Sequence, residues 1–203
     1  MTIATIYATT DFHVYGKSTV YATARNTCFG HFSLSPLVGQ EFSTPDYRVY
    51  RTGLKFDTSI LSGAIINQVN LVMTVLNDQS TAAEFDIEIM KYDWSASDPI
   101  AAGNRETIYD GILAAVLDDS IWRNTAGMAV DTPYTSGNLS TAWIEKEGST
   151  YYALISAEDR NNSAPPAVFE KVSLHRSNDG TQAYRPNLVV DYYYPALGLL
   201  FFT

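Results

Sequence analysis

The feature that most restricts the fold of this chain is an alternation of apolar and polar residues, with period two, that recurs from one end to the other. In Glu84-Phe85-Asp86-Ile87-Glu88-Ile89 the apolar residues Phe85, Ile87 and Ile89 fall on one face, and Glu84, Asp86 and Glu88 on the other. Period two is the repeat of a β-strand with one buried and one wet face. Val69–Val75 is apolar on both faces, as in a strand covered on both sides. Residues 151–156, 168–174 and 187–194 read as further strands, and 47–56 as another with a bulge or close backbone approach at Gly53. Weaker patterns at 2–9, 14–21 and 29–35 add to the set.

Turn chemistry separates these runs. Asp57-Thr58-Ser59 supplies side chains that cap a turn, and Gly63 can take a positive φ on the way out of it. One stretch departs from the alternation. Ile108, Ile112, Leu113, Val116, Leu117 and Ile121 approximate a single helical stripe, with Thr107 or Asp110 as N-cap, so a short helix is expected near 107–118. The fold class read from this is all-β: a single antiparallel jelly-roll β-sandwich carrying one short helix. The sandwich is expected over residues 1–195, with an apolar C-terminal tail at 196–203.

Composition removes several functions. Net charge is −9, and the five lysines form no basic run, which argues against a nucleic-acid partner. No apolar stretch reaches 18 residues, so no membrane span is expected. The opening Met1–Tyr7 has neither the basic nor the apolar region of a standard secretory signal. The single cysteine, Cys28, rules out an internal disulfide and a Cys-based zinc site, and its apolar surroundings suggest an inert, buried thiol.

The stretch Tyr50-Arg51-Thr52-Gly53-Leu54-Lys55-Phe56-Asp57-Thr58-Ser59, followed by Gly63-Ala64-Ile65-Ile66 and the strand at 69–75, resembles the DNRLRE-type domain, and Tyr7-Ala8-Thr9-Thr10-Asp11 and Thr19-Val20-Tyr21-Ala22-Thr23-Ala24-Arg25 fit its looser opening. The close is similar too: Ser177, then Arg185-Pro186-Asn187-Leu188-Val189-Val190-Asp191-Tyr192. The likeness covers nearly the whole chain. It implies a jelly-roll sandwich of the kind carried by bacterial and archaeal surface proteins, carbohydrate-active enzymes and phage-associated proteins. It also implies ligand binding, often to polysaccharide, or structural display. Its motifs describe architecture and not chemistry.

No catalytic constellation emerges. His13, His31 and His175 lie in unrelated segments without ligand spacing, and no nucleophile elbow or phosphate loop is present. No cofactor or metal site is expected. The row Glu84, Asp86 and Glu88 could contribute oxygens to a calcium ion, against the plainer reading of a solvated acidic face.

Two functional readings follow. In the first, the chain is a non-enzymatic structural or interaction protein, a virion (decoration or tail-associated) or extracellular surface subunit that works by oligomerisation with itself or with other subunits. Its partner interface is then Leu199, Leu200, Phe201 and Phe202, four large apolar residues after the last strand. In the alternative it is a stand-alone carbohydrate-binding adhesion module, with Trp94, Trp122 or Trp143 stacking on glycan rings.

Overall fold

The structure, a computed structural model, describes residues 2–33, 35–80, 83–165 and 169–195. In chain order the elements are β1 (Thr2–Ser18), α1 (Tyr21–Asn26), β2 (Cys28–Phe32), β3 (Leu37–Ser43), β4 (Asp46–Asp57) and β5 (Ile65–Asp78). They continue with β6 (Asp86–Lys91), α2 (Arg105–Ala114), β7 (Val116–Asn124), β8 (Pro133–Thr135), β9 (Ser149–Ser156), α3 (Ala157–Arg160), β10 (Phe169–Leu174) and β11 (Asn187–Tyr193). Every strand pairing is antiparallel. The fold is the expected all-β one.

The ladder returns on itself. β1 pairs with β4, β4 with β3, β3 with β10, β10 with β5, β5 with β11, and β11 with the first part of β1. Closing a sheet in this way hides strand edges that would otherwise offer unpaired backbone groups. The main core lies within this circuit and includes Ile6, Leu54, Phe56, Leu71, Tyr152, Leu154 and Leu188. A second core forms on the outer face of β1 and β9, where Phe12, Val14, Ala153 and Ile155 pack against Ile108, Tyr109 and Ile112 of α2. β9 thus buries both faces, which is why its sequence reads as nearly continuous apolar residues.

The turn at Asp57 is built as its sequence suggests. The Asp57 carboxylate accepts hydrogen bonds from the Ser59 backbone N–H at 3.1 Å and hydroxyl at 2.7 Å, and Gly63 takes φ +72°. Gly53 proves to be a close approach and not a bulge. It pairs in register with Phe12, and a Cβ there would stand 2.3 Å from the Phe12 ring.

Several expectations are corrected. The helix spans 105–114 and not 107–118, and Thr107 and Asp110 lie inside it, with Asn104 at its N-cap. Ala115 is already extended, and Val116–Asn124 form a strand along β6. Val116-Leu117-Asp118-Asp119-Ser120 is poor in strong helix formers, and β6 supplies a strand partner, so the stripe changes period midway. Val116, 66% exposed, belongs to no helical stripe.

The weak segments 2–9 and 14–21 are one strand, bulged between Ala8 and Thr10, with Tyr21 beginning α1 instead. β3 carries little alternation because Gln40 and Glu41 are both buried. Glu88 is only 4% exposed and is held by Arg160 of α3 with one bond at 2.7 Å, so the acidic row of β6 is not uniformly wet.

Candidate functional site

At the Asp46 end of β4 the inner surface of the sandwich continues past its core into an open cleft of about 440 Å³. The alternation of β4 produces this. Phe56 and Leu54 point into the main core, Thr52 is buried next, and Tyr50 and Arg48 on the same face line the cleft. Antiparallel β1 brings His13, Tyr15 and Lys17 alongside, in register with Thr52, Tyr50 and Arg48. β2 contributes Phe29 and Phe32, and Leu37 closes the floor at the head of β3.

The rings are mutually packed. Tyr15 stacks on Phe32 at 5.6 Å with an interplanar angle of 11°, and on Tyr50 at 5.9 Å and 26°. The His13 ring lies 5.4 Å from Phe32 and 6.0 Å from Tyr50. Phe29 and Phe32 nonetheless remain 54% and 46% exposed. The cleft therefore shows aromatic surface to solvent at the free edge of β2.

Its charged groups, the Tyr50 hydroxyl and His13 Nδ1 are already engaged. Lys17 Nζ is 3.0 Å from Asp46, and Arg48 donates to Glu41 at 2.8 Å. Tyr50 also donates to Glu41, at 2.9 Å, and Lys171 reaches the other carboxylate oxygen. Burial alone would raise the Glu41 carboxyl, but Lys171, Tyr50 and Arg48 more than offset this and hold it below its ordinary range. Burial, then the Glu41 charge, push the Tyr50 phenol up. His13 Nδ1 lies 3.0 Å from the Ser35 carbonyl, an acceptor only, so Nδ1 carries the hydrogen. Burial lowers the His13 pKa despite that bond, which favours the neutral ring.

A smaller cleft of about 280 Å³ lies at the other end of β4, lined by Trp143, Tyr151, Asp93 and Glu145 among others. Trp143 is partly buried, with Nε1 donating to the Tyr151 carbonyl at 2.8 Å. Of the three tryptophans singled out in the sequence, it alone offers part of a ring to a ligand. Trp94 is 1% exposed, packed edge-on to Phe12 in the second core, and Trp122 is 2% exposed in the main core. Neither has a free face for a sugar. The structure therefore does not bring the three together. Leu199, Leu200, Phe201 and Phe202 lie outside the described residues.

The other sequence candidates are placed plainly. Cys28 is buried, and its thiol is pushed up to about 11, chiefly by burial and then by Glu106, which leaves little thiolate at neutral pH. His175 is less isolated than its sequence suggests, because its nitrogens lie 2.9 Å from Asp131 and 2.8 Å from Asp179. Its bond draws the Asp179 carboxyl below its usual range.

The aromatic cleft was not anticipated from sequence. The available signal was the alternation of His13, Tyr15 and Lys17 on one face of a strand, with Arg48 and Tyr50 repeating it on another. The chain matches no protein-family model, and no curated protein matches it.

Proposed function

We propose that the chain is a non-enzymatic interaction protein, a β-sandwich subunit of a virion or extracellular surface assembly, and that the aromatic cleft is the surface by which it joins other subunits. The observation that carries this is a mismatch within the cleft. Phe29 and Phe32 are half exposed, while Lys17, Arg48, Glu41, the Tyr50 hydroxyl and the His13 Nδ1–H already have partners inside the protein. A sugar, with a hydroxyl on nearly every carbon, needs free donors and acceptors, whereas an apolar side chain needs only ring surface and a dry cleft. Aromatic residues and Arg are what protein interfaces favour at their centres. The resemblance to DNRLRE-type domains supports a role in structural display.

The test is the solution mass of the full chain over a range of concentrations, compared with the Phe29→Ser/Phe32→Ser variant. The wild type should associate and the variant should stay at subunit mass with an unchanged melting temperature. Equal association in both would remove the cleft from the account.

A second reading is supported by the smaller cleft. Trp143 stands there beside Asp93 and Glu145, an arrangement suited to a neutral glycan: a ring face for C–H surface and carboxylates for hydroxyl groups. Binding on a glycan array that Trp143→Ala abolishes would favour the adhesion reading.

A further inference from the structure

We infer that the cleft receives the apolar segment Leu199-Leu200-Phe201-Phe202 of a second copy of the chain, so that subunits join head to tail. This rests on the reading of the cleft as a docking surface and names its occupant.

Complementarity is the first argument. Pro195–Thr203 carries no charged side chain, and five of its residues, Leu197, Leu199, Leu200, Phe201 and Phe202, are large and apolar. The cleft offers Phe29, Phe32 and Tyr15 ring surface with its charges closed into pairs, so an apolar segment can cover the rings without leaving Lys17 or Arg48 unpartnered. A pocket of about 440 Å³ also lies within the range of roughly 300–1,000 Å³ typical of ligand sites.

Reach is the second. Tyr192 pairs with Thr2, and Tyr193 with Ile65, so the last strand ends beside the starts of β1 and β5. The cleft sits at the far ends of those same strands. Tyr15 lies thirteen residues along β1 from Thr2, and Asp78 ends β5 next to β10, which borders β3 and the β4 segment carrying Tyr50. Thirteen extended residues span about 43 Å. From Tyr194 to Phe202 the chain can extend at most about 29 Å. β1 is bulged between Ala8 and Thr10, so this path is the longest the strand allows, and its excess over the reach of the segment favours a cleft on another copy.

A competing seat exists on the same chain. Ile60, Ile65, Tyr193 and Tyr194 are all exposed where the last strand ends. Ile65 also lines a cleft there, but it is about 210 Å³, half the size of the aromatic one, and Lys146 is among its lining residues. Because donor segment and acceptor cleft differ, the contact is heterologous, and repeating it gives rings or open filaments.

Complementation between two full-length variants tests this. One carries Phe29→Ser/Phe32→Ser and keeps its tail; the other carries Phe201→Ser/Phe202→Ser and keeps its cleft. Each alone should remain at subunit mass with a wild-type melting temperature, and an equimolar mixture should give pairs of twice that mass and nothing larger. A labelled peptide of residues 195–203 should also bind the tail variant saturably, and not a variant carrying all four substitutions.

A tail variant that assembles like the wild type overturns the inference while leaving the cleft reading in place. If it does so with a lowered melting temperature, the tail lies on its own sandwich. A mixture that forms no pairs, or a peptide that binds equally without the cleft phenylalanines, also overturns it. Normal assembly of the cleft variant overturns both readings.

Discussion

Arg51 and Asp159, 108 residues apart in sequence, form a bidentate ion pair from which water is excluded: Nε to Oδ2 at 2.7 Å and Nη2 to Oδ1 at 2.9 Å, with both side chains fully buried. The guanidinium also donates to the carbonyls of Tyr109 and Arg25, and lies 3.8 Å from the centre of the Tyr109 ring. One side chain of β4 thereby joins α1, α2 and α3 to the sheet. A buried charge with its partner removed is costly, whereas a matched pair and a hydrophobic replacement can be similar in stability.

Arg51→Ala should therefore destabilise the fold by about 3–5 kcal/mol, since it leaves the buried Asp159 carboxylate with Arg25, 3.3 Å away, in place of its bidentate partner. The double variant Arg51→Met/Asp159→Leu should recover part of that loss, the remainder reflecting Arg25, which then loses its carboxylate partner. Urea denaturation of the three proteins measures both effects. A double variant no more stable than Arg51→Ala would mean that the contacts to Tyr109 and Arg25, and not the charge pair, carry the hub.

Glu158 predicts a pH dependence. One of its oxygens is buried without a partner among the described residues, and burial, followed by the charges of Glu170, Asp86 and Glu88, raises its pKa from 4.5 to about 7. A raised carboxyl pKa stabilises the folded state fully below the unfolded value, and that stabilisation is lost as pH climbs through the folded value. Glu158→Gln should thus raise the melting temperature relative to wild type at pH 8, and the advantage should shrink towards pH 4.5. An equal difference at both pH values would show that Glu158 does not titrate in this window.

The tryptophans should separate by burial. Trp94→Ala and Trp122→Ala should each cost about 3–5 kcal/mol by opening a cavity in a packed core. Trp143→Ala, at a partly exposed site, should cost clearly less. Thermal unfolding of the three single variants decides, and a Trp143→Ala loss as large as the other two would make Trp143 a core residue.

Cys28 should react slowly with a thiol reagent in native protein at pH 7.5 and rapidly once the chain is unfolded. Burial pushes its thiol up to about 11, and its Sγ donates to the Gly30 carbonyl at 3.4 Å. Fast native labelling would indicate that β2 opens away from β1.

What the sequence disclosed and what it concealed divide along physical lines. Strands with one apolar face, such as β11, were legible because burial and alternation largely coincide there, with Leu188, Val190 and Tyr192 buried between partly exposed Val189 and Asp191. β3 was not, because its buried positions include Gln40, which bonds to Glu170, and Glu41, which bonds to Arg48 and Tyr50. Polar residues satisfied by distant partners look like surface residues in a sequence. The stripe through Ile108 and Ile112 was read correctly as far as Ala114, but Val116 and Ile121 continue the spacing by coincidence, on a strand placed by β6. The cleft was hidden for another reason. Its rings come from residues 13–15, 29–32 and 50, and only the register of β1 with β2 and β4 brings them together.

The most direct measurement of the central claim is oxidative footprinting of Phe29 and Phe32 in the full chain as concentration rises. Both rings are half exposed in the single subunit, so they should be modified readily in dilute protein. Protection at these two residues should grow in step with the mass of the assembly, while distant exposed residues such as Val130 stay equally reactive. Assembly that proceeds with Phe29 and Phe32 fully reactive would contradict the claim that subunits join through the aromatic cleft.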